Sequence, residues 1–177
     1  MTMITKLLKI CARLKIVLKI VRSFMPWRKL GKRPPQKNAI QVKAVRQWTS
    51  YSCTAAVAQM VAGYHDIRLG HRKAIELTKC RPDGATLPFV ARALKREHGL
   101  QHRTLRSRAQ VRAALRRGEP VMSNDSVTYE NNHAILVIGA TTKGFWIADP
   151  AVGEIYWRHE RQFFAFSQEY IAVSGRN

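Results

Sequence analysis

In the stretch QWTSYSCTAAVAQMVAGYH, residues 47–65, Cys53 stands at the threshold of an apolar segment and Gln47 lies six residues before it. A thiol attacks carbonyl carbon only as the thiolate, and a helix N-terminus or a neighbouring imidazole favours that form. Cys53, Val57, Met60, Val61 and Tyr64 recur at helical spacing, with Ser50 and Ser52 available as caps, so the pattern predicts a helix with Cys53 in its first turn. The imidazole has to come from elsewhere. His133 opens the apolar run HAILVIGA just after the polar loop SNDSVTYENN, and TTKG then separates that run from GFWIADP. A hairpin about Thr142 and Lys143 brings Asp149 beside Ile135, within two residues of His133. A carboxylate there fixes the imidazole tautomer and stabilises imidazolium. The Gln47 amide can donate to the oxyanion of a tetrahedral intermediate. Each feature alone has a plainer reading, as a core cysteine, a loop histidine, a turn aspartate and a surface glutamine. Their combination in this order points to nucleophile, base, orienter and oxyanion donor.

The elements that must hold these groups are helical first and extended last. LPFVARALKREHGL reads as a helix ending at Gly99 and SRAQVRAALRRG as another ending at Gly118, with RPDGAT as a turn before them. HAILVIGA, GFWIADP and EYIAV are strand-length runs, and AIQVKAV, residues 39–45, is expected as an edge strand. Helices followed by an antiparallel sheet make an α+β domain.

The net charge of +20 over 177 residues is unevenly spread: the first 46 residues hold 13 of the 31 Lys and Arg and no carboxylate. Leu7, Ile10, Cys11, Leu14, Val17, Leu18 and Val21 form one helical stripe, with Lys9, Arg13, Lys15, Lys19 and Arg22 off it. Residues 1–30 therefore read as a basic amphipathic arm, suited to an anionic membrane surface or, alternatively, to docking on its own domain or to remaining a basic tail, and too interrupted by charge to span a bilayer or to form a signal-peptide core. Residues 31–39, which include GKRPPQKN, read as a linker, and the domain as residues 40–177. The arginines between Arg92 and Arg117 raise the rival of a nucleic-acid surface. They carry no interleaved aromatic platform and no recognised motif, which argues against nucleic acid as a partner. Cys11, Cys53 and Cys80 are odd in number and never in a C-x-x-C pair, so neither a disulfide framework nor a zinc cluster is expected, and a reducing, cytoplasmic setting follows. The arm would place the protein peripherally at the inner face of the membrane.

Gln47-x5-Cys53 at a helix start, His133 leading an apolar strand with Gly139, and IADP closing the next strand at Asp149 resemble the C39-type papain-like cysteine peptidases. TLPFVARALKREHGL looks like the second helical region of that family, and GEPVMSND like its strand before the histidine loop. The resemblance spans roughly residues 41–173. It implies a papain-like fold, with the helix carrying Cys53 packed on an antiparallel sheet, and a thiol peptidase acting on a peptide or small-protein substrate. Family members cleave leader peptides after a double glycine. The resemblance carries over Cys53 as nucleophile, His133 as general base and acid, Asp149 as orienter and Gln47 as oxyanion donor, and it implies no cofactor and no metal. Members often precede a peptide-exporting ABC transporter. This sequence has neither membrane spans nor GxxxxGK[ST], so a stand-alone protein is expected. Many members have Gly-Pro after the cysteine, where Thr54-Ala55 stands here. A papain-like groove that binds peptide without turnover, and a basic module for nucleic acid or anionic surfaces, are the alternative readings.

Overall fold

The computed structural model describes residues 39–126 and 133–176. The predicted arm, and the predicted linker apart from Ala39, lie outside the described residues. Five helices and six strands run in the order α1 (Cys53–Tyr64), α2 (His71–Thr78), α3 (Leu87–His98), β1 (Gln101–Leu105), α4 (Arg108–Arg116), β2 (Val121–Asp125), β3 (His133–Ala140), β4 (Gly144–Asp149), β5 (Glu154–His159), α5 (Glu160–Phe166) and β6 (Ser167–Ser174). All pairings are antiparallel in one sheet of order β1-β6-β2-β3-β4-β5. The last strand is thus inserted between β1 and β2.

The helix that begins with Cys53 is buried on all sides rather than along one stripe. Thr54 to Ala58 and Met60 to Ala62 are all buried with Cys53. A helix apolar all round belongs in a core. Its alanines permit close neighbours: Ala55 packs with Ala74 of α2 and with Cys80, while Val57 and Met60 join the main core. Opposite polarity cues end the predicted helices as expected. Lys95, Arg96 and His98 occupy the last turn of α3, where cations meet the negative dipole end, and Gly99 at φ 71° closes it. Ser107 caps α4 by accepting from the Gln110 N–H at 3.2 Å.

Burial continues along β3 from His133 to Gly139, because elements cover both faces of this central strand. The hairpin register matches the sequence expectation near the site, with Leu136 opposite Ala148 and Val137 opposite Ile147. A register shift follows between Val137 and Gly139. There the Ile40 N–H donates to the Ile138 carbonyl at 2.7 Å, and Ala39 bridges Gly139. This single bridge replaces the edge strand expected over residues 39–45. Only Ile40 of that run is fully buried, so the segment runs over the core without extending the sheet. The expected polar loop also begins later, because Ser123, Asn124 and Asp125 pair with β3 as the end of β2. Residues 127–132 of that loop lie outside the described residues.

Candidate active site

The site is assembled where the start of α1 meets the start of β3. The first hydrogen bond of α1 runs from the Ala56 N–H to the Ser52 carbonyl, at 3.1 Å. That leaves the N–H groups of the first turn, Cys53 among them, without a partner inside the helix. Ser52 occupies the cap position, yet its side chain turns backwards. Its Oγ accepts from the N–H groups of Trp48 and Thr49 at 3.1 and 3.0 Å. Fully buried, Ser52 therefore shapes the loop before Cys53 instead of capping the helix.

The Cys53 thiol is hydrogen-bonded to His133. On the far side of the ring, Nε2 of His133 lies 2.7 Å from Oδ1 of Asp149. All three residues are buried, and the sheet supplies the alignment: His133 opens β3 and Asp149 closes the adjacent β4. Asp149 Oδ1 also accepts from the Ala151 N–H at 2.9 Å, and Oδ2 accepts from the Tyr156 hydroxyl at 3.1 Å.

The electrostatics favour an ion pair. Burial alone would raise the Cys53 thiol, but hydrogen bonds from His133 and the Ala134 backbone, the His133 charge and the Thr54 backbone hold it below its ordinary value. Burial opposes the charged imidazole too. The hydrogen bonds to Asp149 and Cys53, with both their charges, outweigh it and push His133 up to about 9. For Asp149, burial is again overcome, by the His133 hydrogen bond and charge, and the carboxyl is held below its ordinary range. Each partner stabilises the charged form of the next.

Gln47 lies in the loop that leads into α1, and its placement is more constrained than sequence suggested. Its backbone N–H donates to the Pro150 carbonyl at 2.9 Å, tying the loop to the turn after Asp149. Its side-chain Nε2 donates to the Thr49 carbonyl at 2.8 Å. One of the two amide hydrogens is therefore engaged by the loop itself. Gln47 Oε1 is buried without a hydrogen-bond partner among the described residues.

Cys80 contrasts with Cys53. Its thiol donates to the Tyr51 carbonyl at 2.9 Å and accepts from Thr54 Oγ1 at 3.4 Å, and burial pushes it above its ordinary value. It braces both sides of Cys53 as a neutral donor. Thr54 is buried, with its hydroxyl turned toward Cys80 by this contact.

Two features carried no signal as site residues in the sequence. Trp48, next to Gln47, is 74% exposed and stacks on His71 with ring centroids 4.1 Å apart. His71 is in turn held by Gln59 at 2.7 Å. Tyr156 is the second, on a strand that sequence patterning did not single out. A cleft of about 770 Å³ at the other end of α1, lined by Tyr64, His65, Arg117, Glu119 and Arg176 among others, contains none of these groups. Among the described residues no three His, Cys, Asp or Glu side chains gather in a way that would hold a metal ion.

The model of the Peptidase C39 family matches residues 41–177. The chain belongs to the peptidase C39 family. It is therefore a cysteine-type peptidase with the mixed helix and antiparallel-sheet fold of that family. Solved structures with the same fold include the peptidase domain of Streptococcus ComA, a bi-functional ABC transporter involved in a quorum sensing pathway. That match has 19% identity and TM-score 0.68, over 77% of this chain and all 100% of that one. A double glycine motif protease from an AMS/PCAT transporter, in complex with the leader peptide, matches at 19% identity and TM-score 0.63 over 81% of this chain and 96% of that one. A C39-like peptidase from Bacillus anthracis matches at 13% identity and TM-score 0.62, over 77% of this chain and 99% of that one. No curated protein matches the chain. No helix among the described residues is long and apolar enough to cross a membrane.

Proposed function

We propose that this peptidase cleaves a peptide leader after a small-residue, Gly-Gly type site, with Cys53 as nucleophile, His133 as general base and acid, Asp149 as orienter and Gln47 as oxyanion donor. One observation carries the reading: a thiol in the first turn of a buried helix is hydrogen-bonded to an imidazole whose other nitrogen is 2.7 Å from a buried carboxylate.

The steps follow from that arrangement. The Cys53 proton passes to His133, and the thiolate adds to the scissile carbonyl carbon to form a C–S bond. The negative charge that develops on the carbonyl oxygen is met by the second Gln47 amide hydrogen and the N–H of Cys53, which has no partner inside the helix. Imidazolium then gives its proton to the leaving nitrogen, the C–N bond breaks, and a thioester remains. Water, deprotonated by His133, adds to the thioester. Collapse releases the carboxylate product and returns the proton-shared Cys53–His133 pair. Asp149 keeps Nε2 protonated and the ring oriented throughout.

The leader-peptide substrate is supported by family membership and by the transporter-derived neighbour that holds a leader peptide. Trp48, exposed beside Gln47 and backed by His71, offers an aromatic surface to residues next to the cleavage point. We place the domain at residues 40–177, joined by a linker over 31–39 to a basic arm over 1–30. The arm, by its stripe of apolar residues and its lysines, would meet an anionic membrane surface. The test is incubation of the protein with peptides carrying a Gly-Gly site and an apolar upstream segment, read by mass spectrometry. Cleavage after the glycines by the unmodified protein and none by Cys53→Ala is expected. Cleavage retained by folded Cys53→Ala would reject the assignment.

A further inference from the structure

Beyond the four groups already given roles, β5 contributes a buried polar chain that ends on Asp149. Alternation along β5 puts Glu154, Tyr156 and Arg158 on one face, and the pairing of Asp149 with Glu154 makes Tyr156 a diagonal neighbour of Asp149 on that face. The Tyr156 hydroxyl donates to Asp149 Oδ2 at 3.1 Å. Arg158 Nη2 donates to the same hydroxyl at 2.8 Å, while Arg158 Nη1 donates to Asp125 Oδ2 at 2.6 Å. Asp125 is fully buried at the end of β2, three strands away from β5 in the sheet.

The direction of this chain is forced by chemistry. A guanidinium has only donors, so the Tyr156 oxygen must accept from Arg158 and its single proton must go to Asp149. The fork of Arg158 serves two acceptors at once, which a lysine cannot do in the same geometry. Asp149 then has both oxygens engaged: Oδ1 by His133 Nε2 and the Ala151 N–H, Oδ2 by Tyr156. Held on Oδ1 alone, the carboxylate could pivot about its Cβ–Cγ bond. A buried Arg–Asp pair contributes little net stability against an apolar replacement, so its presence here is better explained by what it orients.

We propose that Tyr156 and Arg158 are positioning residues of the peptidase site, locking the Asp149 carboxylate so that it holds His133 in line with Cys53. The proposal rests on the reading of Asp149 as the orienter of His133. Burial pushes the Tyr156 phenol well above its ordinary range. Arg158 opposes this and the Asp149 and Asp125 charges reinforce it, so Tyr156 stays a protonated donor over the whole working range. The charged and titratable groups facing Asp149 are His133, Glu154 opposite it across the ladder, Tyr156 and, behind Tyr156, the Arg158–Asp125 pair.

The experiment uses the full chain carrying Tyr156→Phe, which removes only the hydroxyl, and Arg158→Lys, which keeps the charge opposite Asp125 but loses the fork. Two quantities are read: kcat and KM on a cleaved peptide, and the pH dependence of Cys53 alkylation by iodoacetamide, which needs no substrate. For Tyr156→Phe, kcat falls about tenfold, the size of one hydrogen bond to a charged group, with KM little changed. The acid limb of alkylation moves upward by about one pH unit as imidazolium loses its fixed partner. Arg158→Lys shifts both in the same direction by less. A lower unfolding temperature with kcat and the alkylation profile unchanged in both variants would mean a structural role only and overturn the proposal. Should Tyr156→Phe fail to fold, an unaltered profile in Arg158→Lys is sufficient to overturn it. If Cys53 of the unmodified protein is not alkylated fast at neutral pH, the thiolate reading itself fails and takes this inference with it.

Discussion

The backbone N–H of Gln47 donates to the carbonyl of Pro150 at 2.9 Å, so the loop before Cys53 and the turn after Asp149 are one docked unit. Gly153 makes this possible. It sits at φ 68°, its N–H closes the turn onto the Asp149 carbonyl at 2.8 Å, and a Cβ on it would lie 2.8 Å from Cβ of Arg46. Gly153→Ala therefore meets both a left-handed backbone and a neighbour beside Gln47. We expect it to cost about 1–3 kcal/mol, read by denaturant unfolding, and to lower turnover per folded molecule. Unaltered stability and turnover would contradict the docked-unit account.

Gln47→Ala removes one donor to the oxyanion and leaves the Cys53 N–H. Turnover should fall on the order of 10²–10³-fold, while KM changes far less because the charge it meets develops in the transition state. Steady-state kinetics on a cleaved peptide checks this. A loss confined to KM would assign Gln47 to substrate binding instead.

The pH dependence follows from the directions of the shifts. With Cys53 lowered and His133 raised to about 9, the ion pair exists between the two titrations, so kcat/KM should be bell-shaped with its alkaline limb near 9. Because Cys53 itself helps raise His133, Cys53→Ala should lower the imidazole titration, which NMR of the ring protons can follow. The two shifts act on stability with opposite signs. His133, raised from 6.5, contributes stability that is complete below the unfolded value and is lost as pH rises through about 9, whereas Cys53, held low, contributes stability that is complete above its ordinary value and is lost as pH falls. The two offset each other between pH 6.5 and about 9, so denaturant unfolding should show little pH dependence from this pair across that window.

The arm makes a separate prediction, since its apolar stripe and the site lie apart in sequence. Replacing Lys9, Lys15 and Lys19 by glutamate should abolish sedimentation with anionic vesicles at low salt and leave peptide turnover unchanged. Unaltered sedimentation would reject the membrane-surface reading.

How the site is built explains what the sequence could disclose. His133 and Asp149 lie on consecutive strands joined by a short turn, so period-two alternation and one hairpin register bring them together. Helix ends marked by Gly99 and Ser107 were legible for the same local reason. The all-round burial of α1 was not, because its alanines read as neutral in a stripe analysis and only the elements around it determine its exposure. Ser52 looked like a cap, and only the fold of the loop before it turns its hydroxyl back to Trp48 and Thr49. Tyr156 and Arg158 belong to a strand whose partner in the buried network, Asp125, is 33 residues away in sequence. No local period connects them. The edge strand expected over residues 39–45 alternates well enough, but β3 offers it a single bridge at the bulge and no free ladder.

The most direct test of the account is a comparison of Cys53 and Cys80 alkylation in the folded protein, mapped by mass spectrometry at neutral pH. Both thiols are buried, yet one is held low beside an imidazole and the other held high between a carbonyl and a hydroxyl. Cys53 should be labelled rapidly and Cys80 only on unfolding, and His133→Ala should slow Cys53 to the rate of an ordinary buried thiol while the protein stays folded. Equal labelling of the two cysteines, or fast labelling of Cys53 and full peptide turnover in folded His133→Ala, would contradict the central claim.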